Sequence, residues 1–315
     1  MRHFQNIDIP NRARGASVAI GNFDGVHLGH QAVIDVARTQ AMKSNSLLGV
    51  LTFEPHPRSF FAAKFDHGQS PFRLLSAEAR AHRLEKLGVD LLLELPFDQA
   101  LCNLTDWEFS QKILSEAFGL SHVVVGAGFC FGKGREGNAT TLCDHANTLG
   151  FDVTIADLKN HNTQVISSTN IRNALAAAKP REAAAMLGHW HRLEGLVEHG
   201  EKRGRELGYP TANISIDGLQ PPAFGVYAVL ADVLTGPNAG TYHGATSIGV
   251  RPMFGENRPN CETFIFDFNG DLYGETVSIG LVDYLREEEK FDSIGSLITQ
   301  MTADCTRARS ILESL

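Results

Sequence analysis

From residue 18 to about residue 158 the chain alternates short apolar runs with amphipathic stretches. The runs Val18 to Asn22, Leu47 to Phe53, Leu91 to Leu95, His122 to Val125 and Val153 to Ile155 predict strands. Helical spacing predicts helices over Gln31 to Ser44, Ser76 to Leu87, Asp106 to Phe118 and Thr141 to Leu149, with Trp107, Ile113, Leu114 and Ala117 sharing one side of the third. Such alternation predicts an α/β domain of Rossmann-like type, a parallel sheet with helices on both faces. Its ligands should bind beyond the carboxyl ends of the strands.

The texture changes after the alanine-rich stretch that follows Ile166 and a short helix ending near Leu187. LEGLVEHG, GVYAVLADVL, TYHGATSIGV, CETFIFDF and ETVSIGLVDYL are alternating or β-branched runs, broken by glycine, proline and asparagine turns. They predict a small antiparallel β-barrel closed by a C-terminal helix over Ile294 to Leu312. The change falls at 180 to 188 and divides the chain into 1–185 and 186–315.

With 315 residues, 43% hydrophobic and 20% charged, the chain has room for two ordinary globular domains. Its net charge of -8 argues against a general nucleic-acid or anionic-membrane surface. Cys102, Cys130, Cys143, Cys261 and Cys305 form no CxxC, a pattern of reduced thiols rather than a disulfide frame or a zinc site. The first residues lack an apolar signal core and no uninterrupted apolar stretch has spanning length. A cytoplasmic protein with no membrane or obligatory protein partner is expected.

The first chemical motif is VAIGNFDGVHLGH, Val18 to His30. A buried strand stops on a glycine turn, Gly21, Asn22, Phe23, Asp24 and Gly25, and runs into a helix. His27 and His30, three apart at its start, can share one face and reach one phosphate. TFEPHP, Thr52 to Pro57, reads as a rigid extended loop carrying Glu54 and His56. VGAGFCFGKGREGN, Val125 to Asn138, contains a literal GxGxxG at Gly132, Gly134 and Gly137. No helix opens directly there, so it is not a dinucleotide fingerprint. It reads as a flexible glycine loop whose Lys133 and Arg135 can neutralise a phosphate, with Phe129 and Phe131 free to stack on a flat ring. In ISSTNIRNAL, Ser167, Ser168 or Thr169 can cap a helix with Arg172 in its first turns, a second phosphate site or simply a well-capped helix.

HLGH behind a strand resembles the HxGH signature of nucleotidyltransferases, and GNFDGVHLGHQ narrows the resemblance to the bacterial bifunctional riboflavin kinase/FMN adenylyltransferase (FAD synthetase) family. The likeness covers almost the whole chain. It implies that His27, His30 and Arg172, in an SSTxIR-like motif, hold the ATP triphosphate, and that His56 or its backbone serves the nucleotide site. The chain departs from the usual pattern at Gly128 and Cys130, where similar proteins have aspartate and arginine, at Asn138 and at Asn170. These departures bear on flavin contacts more than on the ATP site.

HGEKRGRELGYPTAN, His199 to Asn213, resembles the riboflavin kinase signature GRxLGxPTAN. Its basic turn carries Lys202 and Gly204, and Gly208 bends the chain before Thr211 and Asn213. No Walker A loop is present, so the Thr211 hydroxyl and the Asn213 amide oxygen would meet Mg²⁺ and phosphate. The resemblance implies Glu262 as the base beside the ribityl 5'-hydroxyl and Arg286 as a flavin contact, and it has Met253 where RPTF is usual. Together these imply ATP-dependent phosphorylation of riboflavin to FMN and adenylylation of FMN to FAD. The alternatives are a chain with one activity retained, or a non-catalytic flavin- or nucleotide-binding regulator.

Overall fold

The computed structural model describes residues 1–64, 71–156, 166–199, 207–253 and 256–315, with the backbone alone at 251–253 and 256–257. It divides into two compact units: Met1–Gln69 with Arg80–Ile166, and Ser70–Ala79 with Ser167–Leu315. The packing boundary therefore lies at 166/167, upstream of the 185/186 division read from the change in texture.

The first unit is built on a six-stranded sheet. Its strands are β1 (Arg2–Phe4), β2 (Ser17–Ile20), β3 (Leu48–Glu54), β4 (Leu91–Pro96), β5 (His122–Gly126) and β8 (Asp152–Ala156), in the order β1-β4-β3-β2-β5-β8. All neighbours are parallel. Continuous burial of β2 and of Leu91 to Leu95 is what a sheet covered on both sides requires. Helix α1 (Leu28–Ser44) packs on β2, β3 and β5. Val18, Ile20, Leu93, Val123 and Val125 instead share a core with Phe109, Leu114, Phe118 and Leu142, so the later helices cover the opposite face.

Several elements differ from the sequence expectation. The helix expected over Asp106 to Phe118 opens as one α-turn, α5 (Asp106–Glu108), under a Thr105/Glu108 capping box and continues with π geometry over Phe109–Ala117. Short β1 gave no periodic signal. Pro57 does not prolong an extended loop: it begins helix α2 (Pro57–Lys64), where its missing N–H would have been unsatisfied anyway. The glycine loop is ordered. It forms a ribbon, β6 (Cys130–Phe131) against β7 (Gly137–Asn138), and α6 (Ala139–Leu149) opens directly after it, two residues before the start at Thr141 that the sequence suggests, because Asn138 caps it. A Cβ at Gly132 would meet the Asp106 backbone nitrogen at 2.6 Å, and one at Gly137 would meet Asp106 Cβ at 2.6 Å. These glycines serve close packing.

In the second unit β9 (His191–Leu196), β10 (Thr211–Ser215), β11 (Gly225–Val233), β12 (Gly240–Met253), β13 (Glu256–Ile265) and β14 (Thr276–Arg286) lie in the order β10-β13-β12-β11-β14-β9. Every pairing is antiparallel. A bridge between Glu198 and Asn213 ties the end strands together. Leu193, Ile214, Tyr227, Ile248, Cys261 and Ile279 fill one face. The C-terminal helix α9 (Ile294–Leu312) covers the other, where Ala308 and Leu312 meet Ala228, Phe266 and Val282. Helices α7 (Ser168–Ala176) and α8 (Pro180–Leu187) also pack in this unit.

Candidate active sites

The turn after β2 is tightly specified. Phe23 (φ 50), Gly25 (φ 88) and Val26 (φ 44) are left-handed, an arrangement that costs a non-glycine residue about 1–3 kcal/mol and persists only when its surroundings over-determine it. Those surroundings are visible. The Asn22 carbonyl accepts from Thr52 Oγ1 and from Arg80 Nη1, each at 3.3 Å. Gln31 Nε2 donates to the Val26 carbonyl at 2.8 Å, and the Phe23 ring is buried.

His27 caps α1: its Nδ1 accepts from the His30 backbone N–H at 3.2 Å, which places any ring proton on Nε2. The His27 and His30 rings stack with centroids 3.6 Å apart and planes 13° from parallel. Burial first, and then the neighbouring His27, push the His30 pKa well below its ordinary value, which favours the uncharged imidazole. Its Nδ1 is buried without a hydrogen-bond partner. The structure thus brings the two histidines together at the positive end of a 17-residue helix, where backbone N–H groups and imidazoles favour an anion.

Gly21 and Asn22 also border a cavity of about 710 Å³ whose walls include Phe53, His56, Phe97, Phe129, Phe131 and Arg135. His56 Nδ1 accepts from the Arg58 backbone N–H at 3.0 Å. Phe129 and Phe131 are stacked on each other at 5.4 Å. Phe131, however, is 7% exposed and packed on Phe109, so it is a wall of the cavity rather than a free plate. Gly128 and Cys130 line the same space without supplying a cation. Sequence reasoning missed Arg80, which is fully buried and pairs with Glu54 and Glu94. A signal existed: a glutamate inside the apolar strand run LLLEL needs a buried partner.

Arg172, Ser167, Ser168 and Thr169 lie in the other unit. Ser167 is the residue that caps α7, accepting from the Asn170 N–H at 3.2 Å. Arg172 Nε donates to the Phe72 carbonyl at 2.6 Å, and its guanidinium lies 5.4 Å from the Phe72 ring centre.

In the barrel, opposing residues of β10, β13 and β12 form rows: Thr211 against Phe264 and Ala245, then Asn213 against Glu262 and Ser247. Opposed residues of antiparallel strands point to one face, so Thr211, Asn213 and half-buried Glu262 share the face below α9. Thr211 is common to two cavities. One, of about 300 Å³, also has Glu262, Phe264, Arg286 and Met301 in its walls. The other, of about 250 Å³, has Thr263, Asp271, Leu272 and Tyr273. The Asn213 amide nitrogen donates to the Thr211 carbonyl at 3.1 Å and to its hydroxyl at 3.3 Å. Arg286 reaches its cavity already bound in a fork to Asp304 of α9, at 3.1 Å through Nε and 2.8 Å through Nη2. Gly208 is left-handed at φ 84, as its bend requires. Lys202 and Gly204 lie outside the described residues, as does the Met253 side chain.

Residues 9–170 match the family model described as FAD synthetase, and residues 187–312 match that described as riboflavin kinase. The bifunctional riboflavin kinase/FMN adenylyltransferase of Pseudomonas fluorescens is 38% identical over 299 residues, 95% of this chain and 93% of the relative. Its Listeria monocytogenes counterpart is 37% identical over 300 residues, 95% of this chain and 93% of the relative. A crystal structure from Streptococcus pneumoniae, described as a macrolide-efflux protein, superposes with a TM-score of 0.79 at 32% identity, covering 96% of this chain and 97% of its own. The chain belongs to the bifunctional riboflavin kinase/FMN adenylyltransferase family.

Proposed function

We propose that this chain makes FMN from riboflavin in the barrel unit and FAD from FMN in the parallel-sheet unit, using ATP in both steps. The observation that carries the reading is that Thr211 and Glu262 in the barrel, and Gly21 and Asn22 of the turn before the stacked histidines, each border a cavity with aromatic walls.

In the barrel, Glu262 takes the proton of the ribityl 5'-hydroxyl, whose oxygen attacks the γ-phosphorus of ATP as ADP leaves. Thr211 borders both cavities, so the flavin occupies the side of Glu262 and Phe264 and the nucleotide the side of Asp271 and Tyr273. The sequence motif that carries Thr211 also contains Lys202, Gly204 and Gly208, which we assign to phosphate. The Thr211 hydroxyl and the Asn213 amide oxygen are neutral hard donors that fit a Mg²⁺ completing its shell with phosphate oxygens and water. The described residues contain no cluster of three or more histidine, cysteine or carboxylate ligands that would suit another metal. Bound there, Mg²⁺ would offset phosphate charge.

In the parallel-sheet unit the FMN phosphate attacks the α-phosphorus of ATP and pyrophosphate leaves, with no covalent enzyme intermediate. His27 and His30 donate to the triphosphate, with the Gly21 to Gly25 turn as a further contact. Each such donor supplies roughly 2–4 kcal/mol if it behaves like one oxyanion-hole group. His56, Phe129, Phe131 and Arg135 surround the flavin, and Arg286 lies at the flavin of the barrel.

A reducing, cytoplasmic setting is supported by five free cysteines, and no helix among the described residues is long and apolar enough to cross a membrane. The test is a time course with riboflavin, ATP and Mg²⁺, separating FMN from FAD. FMN should appear first and FAD follow. FMN accumulating alone, with none converted when supplied, would remove the second activity; no product would leave a binding protein.

A further inference from the structure

One guanidinium gathers the carboxyl ends of three neighbouring strands. Arg80, on helix α3 (Ala77–Lys86), is 0% exposed. Its Nη1 donates to the Asn22 carbonyl just beyond β2, at 3.3 Å. Its Nη2 donates to Glu54 Oε2 at the end of β3, at 3.0 Å, and to Glu94 Oε2 on β4, at 2.6 Å. The strands β2, β3 and β4 are consecutive in the sheet. Two of the three tethered residues start segments that build the adenylylation site: Asn22 opens the left-handed turn to His27, and Glu54 precedes His56.

The third tether is an anchor. Glu94 is 2% exposed, and burial works against its charge. Hydrogen bonds from Gln5 and Arg80, with the charges of Arg80 and His3, prevail and hold its carboxyl below the usual range. His3 Nε2 lies 3.3 Å from it. Arg80 is therefore fixed from behind by Glu94, while its Nη1 holds the Asn22 carbonyl and its Nη2 also holds Glu54.

We infer that Arg80 is a positioning residue for adenylyl transfer, setting the Asn22 turn against the His56 segment through a single fork without touching substrate. The inference rests on the reading of that turn as the FAD-forming site. A lysine ammonium keeps the charge but cannot span three acceptors on three strands. Displacing reacting groups by about 1 Å costs on the order of 10²-fold in rate.

The experiment supplies FMN and ATP to the full chain and measures kcat and each KM for FAD formation. Riboflavin phosphorylation and thermal melting of the same preparation serve as controls. Arg80→Lys is expected to lower kcat for FAD by about 10²-fold, with both KM values within about threefold and FMN formation unchanged. Thr52→Val removes the other donor to the Asn22 carbonyl and should lower the same kcat. The double variant should lose less than the product of the two single losses, because both act through one carbonyl. Wild-type kcat in folded Arg80→Lys would overturn the inference, as would an equal loss of FMN formation with the melting transition retained. Should Arg80→Lys not fold, a wild-type kcat in Thr52→Val overturns it alone. Failure of His30→Ala to affect FAD formation would instead overturn the reading of the site.

Discussion

Asn213 and Glu262 stand directly opposite each other where β10 pairs with β13, and Ser247 of β12 continues the row. A carboxylate placed by strand pairing beside Thr211 and Asn213 of β10 is held by backbone hydrogen bonds rather than by a loop. Glu262→Gln preserves that row and removes the proposed base. FMN formation should fall by about 10²–10⁴-fold, while FMN supplied directly is still converted to FAD.

The reciprocal variant is His30→Ala. It should lower FAD formation by about 10²–10³-fold and leave FMN formation intact. Assaying both products for both variants checks the pair: loss of both activities in either one, with melting unchanged, counts against separate sites.

His191 is 1% exposed on β9 and neither ring nitrogen has a hydrogen-bond partner. Burial, and then neighbouring His189, lower its pKa from 6.5 to about 3. The unfolded chain takes up a proton that the folded chain refuses, so this stability is complete above pH 6.5 and is lost as pH falls from 6.5 towards about 3. The loss should run at about 1.4 kcal/mol per pH unit. His191→Leu removes both the titration and the unsatisfied nitrogens. Denaturant melts at neutral pH and at pH values inside that window should show a flatter acid slope than wild type.

Cys130 is the exposed thiol and lines the cavity of about 710 Å³ proposed for the flavin, whereas Cys261 is buried with its pKa pushed up to about 11 by burial. Iodoacetamide at neutral pH should modify Cys130 before Cys261 and slow FAD formation from FMN. FMN should protect, and Cys130→Ser should be insensitive; peptide mass mapping with the activity assay checks both.

Strand and helix positions were legible because each apolar run is local. Leu91 to Leu95 reads as a strand from five residues, and Ile294–Leu312 as a helix from its spacing. The stacked histidines were legible for the same reason, being one helical step apart. What stayed hidden depends on distant partners. Arg80 looks like any solvated helical arginine until Glu54 and Glu94 are seen around it. Phe131 reads as a free ring until Phe109 is packed on it. Nor does local pattern reveal that β1, first in the chain, pairs with β4.

The borrowed segment Ser70–Ala79 has a consequence for how this gene can be divided. Arg73 bridges to Leu219, its carbonyl accepts from the Gln220 N–H at 2.9 Å, and the Phe72 carbonyl holds Arg172. A fragment beginning at residue 186 would keep the barrel strands but lose both the segment and helix α7. The complementary fragment would retain residues 70–79 and 167–185, parts of a unit whose barrel it no longer contains. No single cut yields two intact pieces, so a lineage that separates the two activities into two genes must first rebuild what residues 70–79 contribute.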